Sequence, residues 1–236
     1  MQQFRAWAAH KAGAALERMD YDPGPLQGED VEIAVEHCGI CHSDLAMIDS
    51  EWFPASYPVV PGHEVIGTIV AVGPHCKGRS VGQRVGLGWH SHSCCHCHFC
   101  LGGEQNLCAK RQPTIVGRHG GFADRVRAHW SWAIPVPAGL DPASAGPLLC
   151  GGGTVFLPFV INDIKPTDRV GVVDKGRIMA EGTPASLIRE HSSREVLEVR
   201  FGSDRREVAP DVPRDREQTR TRQRPDPGGD QQRIAD

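Results

Sequence analysis

VEIAVEHCGICHSDLAMID, residues 31–49, holds the first decisive pattern in the chain. Its first part, 31–38, alternates apolar and polar side chains with the period of a half-buried strand. The part that follows Cys41, from Ser43 to Ile48, predicts one short helix. Downstream, VIGTIVAV (65–72) is β-branched and stops at Gly73-Pro74. RVGLGW (84–89), FADRVRAHW (122–130) and WAIPVP (132–137) read as further short strands between Gly or Pro turns. Short strands at close spacing, without heptads or a long helical pattern, predict a mainly β, barrel-like domain.

Nine cysteines occur in the chain, and an odd count without a secretion signal disfavours a disulfide framework. Five of them crowd into 94–108 among histidines, which points to metal. Cys94, Cys97, Cys100 and Cys108 fit C-x2-C-x2-C-x7-C, with two-residue spacers that let neighbouring thiolates converge on one tetrahedral ion. Four sulfurs leave no open position, so this zinc would be structural and would supply much of a small lobe's folding energy. Cys95 paired with Cys97 would give a poorer spacer, so Cys94 is preferred; His96 and His98 are read as exposed loop residues.

A second constellation is spread along the chain. CGICHSD (38–44), PGHEVIG (61–67) and AGPLLCGGG (145–153) contribute Cys41, His63 and Cys150. A Cys-His-Cys set leaves a tetrahedral zinc with one open position, which is the catalytic arrangement. Glu64 stands next to His63 as a neighbouring or transient fourth ligand, and Asp44 is a candidate to fix the His63 tautomer. Ser43 follows Cys41-His42, where its hydroxyl can relay a substrate proton. Cys38 reads as a buried strand end and Cys76 as incidental.

The stretches CGICHSDLAMID (38–49), YPVVPGHEVIGTIVAVG (57–73), VGQRVGLGW (81–89), GGFADRVRAHWSWAIPVP (120–137) and AGPLLCGGGTVF (145–156) resemble the zinc-dependent medium-chain alcohol dehydrogenases. The resemblance is closest to the cinnamyl-alcohol-dehydrogenase-like branch, among NADPH-dependent aldehyde reductases, and covers about residues 1–173. It implies a GroES-like catalytic domain with two zinc ions per chain, a catalytic one on Cys41, His63 and Cys150 and a structural one on the four lobe cysteines. It also implies NADP(H) as cofactor, a small aldehyde or alcohol as substrate, Ser43 as proton relay, His42 near the cofactor pyrophosphate, and Trp52 and Trp89 as pocket walls. Ala46 stands where many relatives carry a histidine, a departure that bears on the last step of the relay and not on the zinc.

The family's glycine-rich turn does not follow DRVGVV (168–173); Asp174-Lys175-Gly176 stands there, and no G-x-G-x-x-G occurs in the sequence. Gly73 to Ser80 nearly fits a P-loop, but Arg79 replaces its lysine. DRVGVV, the turn and RIMAEG (177–182) predict a hairpin, Thr183 caps a helix that starts at Pro184, and EVLEVRF (195–201) reads as a last strand. Residues 168–201 resemble the end of an ABC-transporter ATPase, without its catalytic motifs. The expected organisation is therefore a GroES-like domain over 1–167, an ATPase-like fragment over 168–202, no Rossmann domain, and a disordered, charge-rich tail over 203–236. Activity by such a chain is expected to be impaired, and a zinc-binding fragment without turnover is the alternative.

A net charge of -3 argues against nucleic acid or an anionic membrane as partner, and no apolar run approaches a membrane span. With no secretion signal at MQQFRAWAAHKAG, a cytoplasmic location is expected. The oligomeric state is left open.

Overall fold

A computed structural model describes residues 3–52 and 54–191. The expected strand at 195–201 and the tail 203–236 lie outside the described residues. The chain opens with a hairpin, β1 (Phe4–Ala8) against β2 (Glu17–Tyr21). β3 (Asp30–Cys38) leads into α1 (His42–Ile48), and β4 (Val65–Val72) and β5 (Arg84–Leu87) follow. β6 (His90–His92) and β7 (Gln112–Pro113) pair at the base of the cysteine lobe, which contains the single turn α2 (His98–Leu101). Then come β8 (Arg125–His129), β9 (Ile134–Pro135), α3 (Pro142–Ala145) and α4 (Gly151–Ile161). The hairpin β10 (Val170–Asp174) and β11 (Arg177–Gly182) and the helix α5 (Pro184–His191) complete it.

The mainly β expectation holds. Five strands form one antiparallel sheet in the order β8-β3-β4-β5-β9. β1 joins its flank, where the Trp7 N–H donates to the Phe122 carbonyl at 2.8 Å. The β3–β4 register shifts twice, at Glu32/Ile33 and Val35/His37. Such bulges bend a strand and raise its twist, which lets a short sheet wrap a core. Val31, Ile33, Val65, Ile69, Val85 and Leu87 lie fully buried inside it. Burial of each is worth roughly 1.5–3 kcal/mol.

Three strands are shorter than the sequence predicts, the 84–89 stretch ending at Leu87. Of the 122–130 stretch Arg125–His129 is strand, and Trp130 is taken into a 3-10 turn, Trp130–Trp132, capped by the His129 side chain. The 132–137 stretch keeps two ladder residues, since its prolines cannot donate to a ladder. The β1–β2 hairpin and α4 have no clear counterpart in the sequence pattern. FRAWA and ERMDY are too short and too charged to stand out, and GGGTVFLPFVI carries three glycines and a proline, all poor helix formers. The hairpin at 170–182 forms around Lys175 and Gly176, both at positive φ, and the Ser186 N–H donates to Thr183 Oγ1 at 3.2 Å as the capping pattern predicts.

Among the described residues every paired strand is antiparallel, so no parallel βαβ unit occurs there. No single helix among them is long and apolar enough to cross a membrane.

One charged group sits inside the β layer. Glu32, almost fully buried on β3, accepts from Arg125 at 2.6 Å and from Arg127 at 3.0 and 2.9 Å, both on β8. Arg127 also donates to the carbonyls of Pro23 and Gly24. Removing the carboxylate would leave Arg127 underpaired. Glu32→Ala should therefore cost about 3 kcal/mol in denaturant unfolding. His119 offers a second handle. Its ring packs on Tyr21 at 4.5 Å, its Nδ1 has no hydrogen-bond partner, and burial holds its imidazole below 6.5. The unfolded chain takes up that proton near pH 6.5 and the folded chain only below it, so stability falls as pH drops through 6.5. His119→Phe should make the loss between pH 7.5 and 5.5 shallower, read from unfolding midpoints.

Candidate metal centre

Cys41 is the N-cap of α1 and has extended backbone angles, which turns the chain from β3 into the helix. Asp44, three residues on, accepts the Cys41 N–H at 3.0 Å through Oδ2. Its other oxygen, Oδ1, accepts the Gly62 N–H at 2.8 Å and lies 2.9 Å from His63 Nδ1. One buried carboxylate thereby ties the helix start to the loop that carries His63. Gly62 stands at φ 99°, where a side chain is strained, and a Cβ there would meet Phe122 and Cys38 at under 3 Å. Gly39 is needed for a different reason: a Cβ would collide with the Glu64 carboxylate.

Cys150 arrives from the far end of the domain as the N-cap of α4. Its Sγ lies 3.8 Å from Cys41 Sγ and 3.2 Å from His63 Nε2. Donor atoms of Cys41, His63, Glu64 and Cys150 all fall within 4.8 Å of one another. Two thiolates on one tetrahedral zinc, each at about 2.3 Å, stand ~3.8 Å apart, so the spacing fits the ion. With Nδ1 bonded to Asp44, the His63 ring presents Nε2 to the sulfurs, the tautomer a ligand requires.

The charges are consistent with that fit. Burial pushes the Cys41 thiol up, but hydrogen bonds from the Ser43 backbone and hydroxyl and from Cys150 outweigh it, and the thiol titrates low. Burial, reinforced by the charge of Cys41, pushes Cys150 up to about 12. Burial also raises the Glu64 carboxyl, and it opposes a charged His63, which Asp44 restores. Two thiols at this distance do not both ionise without a cation between them.

Ser43 Oγ lies 3.6 Å from Cys41 Sγ, at the edge of the cluster. His42, beside it, is exposed. Trp89 sets its ring edge-on to His63 at 5.1 Å, and Trp52 meets Trp89 at 6.0 Å, so the two tryptophans stand together on one side of the histidine. Ala46 is buried and offers no polar atom beyond its backbone. Sequence reasoning misses Gly62 and Gly39; their only signal is a glycine directly before His63 and another directly after Cys38.

In the lobe, Cys94, Cys97, Cys100 and Cys108 also place their sulfurs within 4.8 Å of one another. Cys94 Sγ stands 3.9 Å from Cys100 and 3.6 Å from Cys108. Backbone N–H groups of Cys94 and Lys110 point at Cys108 Sγ, at 3.5 and 3.3 Å. Phe99, Leu101 and Leu107 are exposed while Cys100 and Cys108 are buried, so sulfur forms the centre of the lobe. Cys95 turns outward at φ 59°, and His96 and His98 are exposed. Cys38 is buried and Cys76 half-buried, both outside either cluster.

Because Asp44 serves three donors, its loss is felt at all of them. Asp44→Ala should lower the stability of metal-free protein by about 3 kcal/mol, since each orphaned buried donor costs roughly 1–3 kcal/mol. Asp44→Asn keeps one acceptor and should cost less, by the same denaturant measurement.

Residues 27–138 match the alcohol dehydrogenase GroES-like domain family. The aldehyde reductase AdhA of Synechocystis is 53% identical over 172 residues, 73% of this chain and 51% of that protein. A cinnamyl alcohol dehydrogenase from Sorghum bicolor superposes with a TM-score of 0.65 at 35% identity, over 69% of this chain and 49% of its own. The Helicobacter pylori cinnamyl alcohol dehydrogenase, solved with NADP(H), gives a TM-score of 0.68 at 28% identity, over 72% and 51%. The chain thus spans about half the length of the relatives it matches. Residues 27–138 are an alcohol dehydrogenase GroES-like domain, and the chain is a homologue of the zinc-type medium-chain alcohol dehydrogenases, of the cinnamyl-alcohol-dehydrogenase-like kind.

Proposed function

We propose that this chain carries the zinc-binding, carbonyl side of an NADP(H)-linked reduction of aldehydes to primary alcohols. The observation behind the reading is the convergence of Cys41, His63 and Cys150 on one point, with His63 oriented by Asp44. A zinc ion there would supply a Lewis acid for a carbonyl oxygen. Cys41, His63 and Cys150 would hold it, leaving Glu64 as a neighbouring carboxylate that can approach or withdraw. Asp44 keeps the imidazole in one tautomer. Ser43 carries a hydroxyl at the cluster edge, suited to hand a proton to the product oxygen. Trp52 and Trp89 would exclude water on one side and favour a flat or apolar aldehyde. Cys94, Cys97, Cys100 and Cys108 would hold a second, structural zinc.

The described residues do not fit the dinucleotide. Gly151, Gly152 and Gly153 open a helix, but they follow a 3-10 turn rather than a strand, and Cys150 at the N-cap belongs to the metal cluster. We therefore derive no step through NADP(H) and assign His42 only a place at the cofactor side. By itself the chain should bind zinc and turn over slowly or not at all, with a zinc-binding fragment as the second reading. We also propose the division 1–167, 168–202 and 203–236, with the middle piece of separate, ATPase-like descent. Apolar side chains on both strands of its hairpin, Val172, Val173, Ile178 and Met179, are exposed.

Metal analysis should find two zinc ions per chain, one lost in Cys41→Ser and the other in Cys94→Ser. NADPH absorbance with an aromatic aldehyde then separates the readings. Flat absorbance with both zinc ions retained supports the fragment. Rapid consumption that vanishes in Cys41→Ser would show full catalysis by this chain and sink the impairment proposal.

A further inference from the structure

Thr114 is almost fully buried at the root of the cysteine lobe, and it belongs to neither metal cluster. It directly follows β7, whose Gln112 carbonyl accepts the hydroxyl of the buried Ser91 on β6 at 3.1 Å. Its own two donors go to consecutive carbonyls of another segment. The Thr114 N–H donates to the Trp89 carbonyl at 2.7 Å, and Oγ1 donates to the Gly88 carbonyl at 2.6 Å. Gly88 and Trp89 are the two residues between β5 and β6, outside either ladder. A Cβ on Gly88 would strike the Leu149 carbonyl at 2.6 Å, so the same link also packs on the residue before Cys150.

We propose that Thr114 is a positioning residue for the aldehyde pocket: by gripping Gly88 and Trp89 it fixes the Trp89 indole edge-on to His63. The role presupposes the aldehyde site built on Cys41, His63 and Cys150. A link outside both ladders has no strand partner to set its peptide planes, and here one threonine sets two of them. The direction of the Trp89 Cα–Cβ bond follows from those planes, and the indole is a long lever on that bond. A small turn of the peptide therefore moves the ring edge further than it moves the backbone. The ring centroids of Trp89 and His63 stand 5.1 Å apart at 87°, and Trp52 is 6.0 Å from Trp89, so a displaced indole alters the wall beside a metal ligand. Threonine suits the role better than its isostere. Its branched Cβ restricts χ1 and so holds the hydroxyl toward Gly88. Valine would fill the same space but leave the Gly88 carbonyl without that donor. A loosened indole matters most to a flat aldehyde that lies against its face, and little to a two-carbon one.

Fluorine NMR of the full, zinc-loaded chain labelled with 5-fluorotryptophan tests this. Each of the five tryptophans gives one resonance, and Trp89→Phe identifies the line of Trp89. In the unsubstituted chain that line should be single and narrow. In Thr114→Val it should shift and at least double in width, while the lines of Trp7, Trp130 and Trp132 hold their positions and both zinc ions stay bound. Thr114→Ser, which keeps the hydroxyl, should restore it. Cinnamaldehyde should move the Trp89 line of the unsubstituted chain. Its dissociation constant should rise roughly threefold or more in Thr114→Val, the scale of one lost hydrogen bond, and recover in Thr114→Ser. Acetaldehyde should bind all three alike. A Trp89 line unchanged in Thr114→Val overturns the proposal. So does a Trp89 line already broad in the unsubstituted chain, a result that needs no variant to fold. A disturbance shared by all five lines overturns it as well, because the threonine would then hold the fold rather than the ring. A Trp89 line that responds to Thr114→Val but to no aldehyde keeps the grip on the indole and sinks the aldehyde site instead.

Discussion

The carboxylate of Asp44 meets three N–H groups drawn from separate parts of the chain. It fixes the Cys41 end of α1, the glycine turn at Gly62 and the imidazole of His63, at 2.8–3.0 Å each. Two of the three cluster members therefore have their backbone and orientation settled before any metal arrives. Such preorganisation matters because a ligand set that must be ordered by the ion lowers its affinity by that ordering cost. Cys150 alone depends on a different element, the entry to α4. Its sulfur reaches the cluster because the 3-10 turn Gly146–Leu149 packs under β5, where a Cβ on Gly86 or Gly88 would strike Leu149.

How much of this is legible in the residues follows their chemistry. β3, β4 and α1 can be read because their patterns are strong and local. Valine and isoleucine alternate with the sheet pleat, and a capping carboxylate sits three residues after Cys41. The cysteine lobe is legible from spacing, since thiols two residues apart are placed to share one ion. The Asp44–His63 link is legible because a ligand histidine needs a partner for its second nitrogen. What escapes is non-local. Gly62 at positive φ and the collision that forbids a side chain at Gly39 depend on neighbours distant in sequence. The buried Glu32 with Arg125 and Arg127 is equally hidden, because alternation alone would set a glutamate on the wet face of β3. α4 escapes for a plainer reason: intrinsic propensity argues against three glycines and a proline, and tertiary context overrides it.

The two clusters differ in what surrounds them. His63 itself is fully buried, with Val60 and Val65 buried on either side of it in sequence and the Trp89 ring edge against the imidazole. Around Cys94 to Cys108 the apolar residues point to solvent and the sulfurs point inward. One site is built by the core of the domain. The other takes the place of a core.

That contrast has a consequence for the order in which the molecule assembles. Cys94 and Cys108 are 14 positions apart, whereas Cys41 and Cys150 are 109 apart. By chain statistics alone, closing the longer loop costs about 2 kcal/mol more. An unfolded chain can therefore gather the lobe thiols around an ion at lower cost, whereas bringing Cys41 to Cys150 draws on the pairing of β3, β4 and β5. Metal in the lobe reports that a short stretch has closed. Metal at His63 reports that the whole domain has been made.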